Sequence, residues 1–116
     1  MKSSLSWDGA PDLPPTHYVN NRIYTDPQIF EEERLKIMAS TWRLACHESE
    51  LPDPGDYRAT EIAGIPIVIL RGEDCSIRAF FNVCPHRGAK LVRDERGNAK
   101  RGMQCFYHLW TFSLDG

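Results

Sequence analysis

A chain of 116 residues, 41% hydrophobic and 26% charged, is sized for one domain with a modest core. Its 14 Lys and Arg against 16 Asp and Glu give a formal net charge of −2, which makes no case for a nucleic-acid or membrane-surface partner. No apolar run approaches the roughly 18 residues of a membrane span and no apolar signal segment opens the chain, so the protein is expected in the cytoplasm, its cysteines free or metal-bound.

Residues 1–22 carry Pro11, Pro14 and Pro15 among Ser, Asp and Gly, and read as an extended arm. Trp7 and Tyr18 are its candidate anchors, and His17 reads as a solvated residue. A helical lead-in is expected over 23–43, with the helix near 27–41. Thr25 or Asp26 caps it, Pro27 suits the first helical position, and Gln28 is a candidate for completing a capping box. Glu31, Glu32 and Glu33 favour the positive end of the helix dipole. Leu35, Met38 and Trp42, widened by Phe30 and Ile37, form an apolar stripe expected to pack in the core.

From residue 44 onward the texture becomes β after a Pro/Gly loop at 52–55. Tyr57–Ile62 partly alternates, Ala63-Gly64 makes a turn, and Ile65–Leu70 is a branched apolar run suited to a buried strand. Arg71–Asp74 reads as a hairpin loop, Ser76–Val83 as the returning strand, and 104–107 and 110–114 as two further short strands. These elements predict a mainly β fold: a small antiparallel, sandwich-like domain over 44–116, preceded by the arm and one helix. Asp115-Gly116 is a hairpin-turn signal that predicts a returning strand, so the sequence reads as an N-terminal piece of a longer protein.

The chemistry concentrates between Cys84 and His108. One residue separates Cys84 from His86, two separate Cys105 from His108, and 18 lie between the pairs. Each pair sits where a strand ends and offers one thiolate and one imidazole. That donor set suits a [2Fe-2S] cluster in which two His replace two Cys on one iron. Neutral imidazoles make such a core less negative, raising its potential to roughly −150 to +300 mV against about −400 mV for an all-thiolate plant-type cluster. Amides of Arg87, Gly88 and the Phe106-Tyr107 turn are candidates to bond the sulfurs, and Arg87 to offset charge nearby.

Three other readings meet the same residues. Cys2His2 is a common structural zinc set, though its paired ligands usually lie two to four residues apart. A Cys/His nucleophile needs only one such pair. Four core residues met by chance would sit in strands rather than loops. Outside the four, Cys46 reads as a small buried hydrophobe and His47 as a loop residue, while Cys75 has no evident partner.

Several stretches together resemble the large (α) subunit of Rieske-type aromatic-ring-hydroxylating oxygenases. They are Tyr24-Thr25-Asp26-Pro27, Thr41-Trp42, His47-Glu48-Ser49-Glu50-Leu51-Pro52, Gly55-Asp56-Tyr57, Ala79 to Gly88, and Cys105 to Gly116. The helix with Thr41-Trp42 is a feature that a free-standing Rieske ferredoxin normally lacks. The resemblance implies an electron-relay domain with Cys84, His86, Cys105 and His108 as cluster ligands. A reductase or ferredoxin would donate the electrons. A mononuclear Fe(II), in a C-terminal domain absent from these residues, would hydroxylate an aromatic substrate with O2. It also implies a homo-oligomer or an α/β hetero-oligomer. A stand-alone ferredoxin-type carrier is the alternative. One position departs from the family pattern: Leu109 stands where Gly usually follows the second ligand His. Leu resists positive φ, so an ordinary backbone is expected there, with Leu109 covering the cluster.

Overall fold

The computed structural model describes residues 20–100 and 102–116, so Trp7, His17 and Tyr18 of the expected arm lie outside the described residues. The first element is a short helix ahead of the helix expected near 27–41, α1 (Arg22–Thr25). It leads directly into α2 (Pro27–Glu33). Asp26 caps α2 by accepting the Gln28 N–H at 2.9 Å, and Pro27 opens it. Gln28 thus contributes its backbone to the cap rather than a capping-box side chain.

The expected single helix over 27–41 is interrupted. After Glu33 it widens into a π-helical turn, Arg34–Met38, in which Ala39 donates to the Arg34 carbonyl five residues back. It stops there because side chains take the last carbonyls. The Ser40 hydroxyl bonds Leu35, the Thr41 hydroxyl bonds Ile37, and the Arg43 guanidinium bonds Met38. The expectation that the apolar stripe packs in the core fails. Phe30, Leu35 and Ile37 are about half exposed and Trp42 is fully exposed; of the helix only Ile29 is buried. The helix is tied to the sheet through Arg34, which pairs with Glu31 and donates to the Ala63 carbonyl at 2.8 Å.

Four antiparallel strands form the main sheet in the order β3-β2-β1-β4: β1 (Asp56–Ile62), β2 (Ile65–Arg71), β3 (Ile77–Phe81) and β4 (Arg96–Asn98). A second pair, β5 (Met103–Gln104) and β6 (Thr111–Phe112), lies beside it. The architecture is the mainly β, antiparallel one that the sequence predicts. The β1–β2 turn is the Ala63-Gly64 pair, both at positive φ (54° and 78°), which matches the twist of a two-residue hairpin. The last two strands are shorter than expected, because residues 105–110 belong to a loop.

β4 is the strand missed by the sequence. It pairs with β1 at Tyr57↔Gly97, where a Cβ on Gly97 would stand 2.7 Å from the Tyr57 hydroxyl oxygen. Only a residue without a side chain lets that ring lie across the strand.

Alternation along β2 divides the sheet into two faces. Val68 and Leu70, opposite Ala59 and Tyr57, join Met103 and Leu114 in the core beneath the β5–β6 pair. Each such buried aliphatic side chain stabilises the fold by roughly 1.5–3 kcal/mol. Ile65, Ile67 and Ile69, with Ala79 and Phe81 of β3, line a groove against residues 38–45 on the opposite face. Arg71 secures the loop that precedes β1. It donates to the carbonyl of the fully buried Leu51 and to those of Glu48 and Cys75.

Candidate metal centre

Both loops that carry the candidate ligands grow from strand ends and are built alike. In the first, Cys84 donates its N–H to the Ala89 carbonyl (2.7 Å), and Gly88 donates to the Cys84 carbonyl (2.9 Å). In the second, Cys105 donates to Trp110 (2.8 Å) and Leu109 donates to Cys105 (2.9 Å). Each cysteine is therefore bonded to the residues four and five positions later, and the histidine is carried on the arch between.

The two loops need the same left-handed residue to close. Gly88 supplies it at φ 73° and Leu109 at φ 61°. The expected ordinary backbone at Leu109 is thus overturned: the Cys105 carbonyl demands its N–H from that position, whatever the side chain. Leu109 is also 63% exposed, turned largely to solvent.

Asn82, two residues before Cys84, fixes where the first loop sits. Its side chain is buried, accepts the N–H groups of Leu91 (3.0 Å) and Val92 (2.9 Å), and donates to the Val92 carbonyl (2.8 Å). Its backbone N–H reaches the Pro66 carbonyl in β2 at 2.8 Å. Its side chain thus ties the two ends of the loop to each other, and its backbone ties them to the sheet. Sequence reasoning gave Asn82 no such role, since its partners are nine and ten residues away.

The structure brings the four predicted residues together two by two. Cys84 and Cys105 are each 2% exposed, share a small apolar cluster with Leu91, and touch through their sulfurs. The Cys105 thiol is held below its usual range chiefly by the Tyr107 N–H, and then by the His108 N–H, the Cys84 thiol and the charge of Arg93. In the second loop the expected Tyr107 amide faces the Cys105 thiol; in the first, the Gly88 N–H is spent on the Cys84 carbonyl. The charge of Arg93 acts on Cys105, and its guanidinium lies 3.3 Å over the Phe106 ring centroid.

The imidazoles form the outer pair. His86 and His108 are exposed, with ring centroids 4.7 Å apart in an edge-on arrangement. His86 is stacked on Trp110, centroids 4.8 Å apart and planes 6° from parallel, while His108 leans on Tyr107 at 3.9 Å. Among the described residues no three His, Cys, Asp or Glu side chains gather about the space of a single ion.

The remaining candidates lie apart from this centre in role. Cys46 is half-buried rather than buried, and desolvation, then the Glu50 carboxylate, pushes its thiol up. His47 caps the short 3-10 turn Glu48–Glu50, its Nδ1 accepting the Ser49 N–H while Glu50 bonds the His47 N–H. Cys75 is exposed at the β2–β3 hairpin with φ 64°.

A small β domain whose two like-built loops present buried thiols beneath exposed imidazoles is of the iron–sulfur class. Sequence comparison agrees, since the pattern of the Rieske [2Fe-2S] domain matches residues 41–116. The chain belongs to the Rieske [2Fe-2S] domain family.

It is similar to the α subunit of 2-aminobenzenesulfonate 2,3-dioxygenase from Alcaligenes sp., 47% identical over 84% of this chain and 24% of that one. The oxygenase subunit of carnitine monooxygenase from Acinetobacter baumannii is 50% identical over 81% of this chain and 25% of its own. Among solved structures, a quaternary ammonium Rieske monooxygenase in complex with γ-butyrobetaine superposes with a TM-score of 0.79. It is 48% identical, over 83% of this chain and 27% of its own. The chain thus spans about a quarter of the length of these relatives. Among the described residues no helix is long and apolar enough to cross a membrane.

Proposed function

We propose that Cys84 and Cys105 hold one iron of a [2Fe-2S] cluster from the buried side and that His86 and His108 hold the other from the exposed side. The observation that carries this is the two-and-two grouping: thiols together beneath the surface, imidazoles together at it. A single tetrahedral zinc needs all four donors about one point, so the paired arrangement favours the cluster over the zinc reading. Once bound, the cluster supplies reversible one-electron transfer at a potential raised by its imidazole ligands.

The chain's own residues supply the setting. The Tyr107 and His108 amides and the Arg93 charge stabilise negative sulfur at Cys105. Leu91, Ala89 and Phe112 keep water from the thiol end. The imidazole end, left exposed, is where a redox partner can approach.

The wider role follows the relatives. We infer that the domain relays electrons within an oxygenase α subunit of a homo-oligomer or α/β hetero-oligomer. A reductase or ferredoxin donates them, and a mononuclear Fe(II) site elsewhere in the longer protein receives them. Two His and one carboxylate are the expected ligands of that site. An aromatic substrate is supported by the aminobenzenesulfonate dioxygenase, whereas carnitine, the substrate named for the other relative, has no ring.

Anaerobically purified protein and four single variants test the ligand assignment. Cys84→Ala and His108→Ala are expected to lose bound iron, sulfide and the red-brown colour; Cys46→Ala and Cys75→Ala are expected to keep them. Zinc in place of iron, or colour retained in Cys84→Ala, would overturn it.

A further inference from the structure

His86 and His108 are not equivalent in their surroundings. His108 leans against Tyr107, its own neighbour in the chain, with planes 37° apart. His86 is gripped from the other loop: the Trp110 indole lies parallel to it at 6°, and the His108 ring meets it edge-on at 69°. A ring with an aromatic face on one side and an edge on another has little freedom to turn. The backbone that carries the indole is anchored, because the Trp110 carbonyl accepts the Cys105 N–H at 2.8 Å and the next residue, Thr111, is paired in β6 with Gln104. A parallel aromatic pair is favoured beyond the area it buries, which biases a surface ring toward one orientation.

We propose that Trp110 is a positioning residue that sets the plane of the His86 imidazole at the cluster. The two loops are thereby locked to each other through side chains as well as through the metal centre. The inference rests on the ligand assignment proposed above and adds that the two imidazoles are held by different means. His86 takes its orientation from the partner loop and His108 from its own.

Trp110→Phe keeps a planar ring on His86, whereas Trp110→Leu keeps apolar bulk without a ring face. The readout is the nitrogen hyperfine coupling of the reduced, cluster-loaded protein by pulsed EPR, with histidine nitrogen labelled. Iron and sulfide content are measured alongside. Wild type and Trp110→Phe are expected to show two distinct, narrow imidazole couplings. Trp110→Leu, at unchanged iron and sulfide, is expected to broaden or shift one of them and leave the other in place. Identical couplings in all three proteins, or equal disturbance of both imidazoles in Trp110→Leu, would overturn the proposal while leaving the cluster standing. A wild-type protein with no nitrogen coupling at all would instead remove the ligand assignment, and this inference with it.

Discussion

Gly88 and Leu109 hold the same place in the two ligand loops. Each lies four residues after its cysteine, donates its N–H to that cysteine's carbonyl at 2.9 Å, and sits in the left-handed region, at φ 73° and 61°. Left-handed backbone costs an L-residue roughly 1–2 kcal/mol, so one loop closes without strain and the other carries it. Gly in the unfolded chain carries a compensating entropy cost of about 0.5–1 kcal/mol. Leu109→Gly is therefore expected to raise the unfolding free energy by up to about 1 kcal/mol. Gly88→Ala is expected to lower it by about 1 kcal/mol through backbone alone, since an added Cβ would meet nothing within 4 Å. Urea titration of the loaded proteins checks both; a destabilised Leu109→Gly would show that the leucine side chain contributes more than its backbone costs.

Asn82 is the buried polar residue on which the first loop hangs. Asn82→Ala leaves the buried Leu91 N–H without its acceptor and removes three hydrogen bonds. A loss of about 2–4 kcal/mol is expected, with weaker retention of iron on dilution or mild chelation. Asn82→Asp keeps the two accepted bonds but sets a buried carboxylate oxygen against the Val92 carbonyl, so it should not rescue the loss. A wild-type urea midpoint for Asn82→Ala would contradict this account of the loop.

The β2–β3 hairpin carries an acid-sensitive tie. Asp74 accepts both Arg78 guanidinium nitrogens, at 2.8 and 2.7 Å, and the Ser76 N–H and hydroxyl. Arg78 first, and then Ser76, hold its carboxyl well below the ordinary carboxylate range. A depressed folded pKa contributes stability that is fully present above the unfolded value of about 3.9 and is lost as pH falls toward the folded one. The pair is solvent-exposed, so the effect is small. The urea midpoints of wild type and Arg78→Ala should differ near neutral pH and begin to converge only below about pH 4, as pH falls toward the depressed folded value. A gap that widens on acidification would contradict the sign.

What the sequence reveals follows how local each determinant is. The first loop is legible because Cys84, Pro85, His86 and Gly88 sit within five residues and carry both chemistry and turn; the second is legible only from its Cys105 and His108 pair, since Leu109 stands where the turn residue would be. β1 and β2 are legible from alternation and a branched apolar run. β4 is not: Arg96, Gly97 and Asn98 are all exposed and show no pattern, and the strand exists through pairing to β1 and the passage of the Tyr57 ring over Gly97. The helix end is hidden for a related reason, since the side chains of Ser40, Thr41 and Arg43 decide it by competing for carbonyls. The apolar stripe suggested burial, but periodicity reports a face and not what covers it; Leu35 and Trp42 are open to solvent in this chain. Leu109 misled for the opposite reason: residue preference pointed one way, and the hydrogen bond the loop requires pointed the other.

The assignment of two irons between the paired thiols and the paired imidazoles is tested most directly by an EPR spectrum of the dithionite-reduced, anaerobically purified protein. A rhombic low-temperature signal of a reduced [2Fe-2S] cluster with nitrogen coupling, abolished in His108→Ala, is the predicted result. A silent spectrum from protein that contains zinc, or a cluster signal without nitrogen coupling, would contradict it.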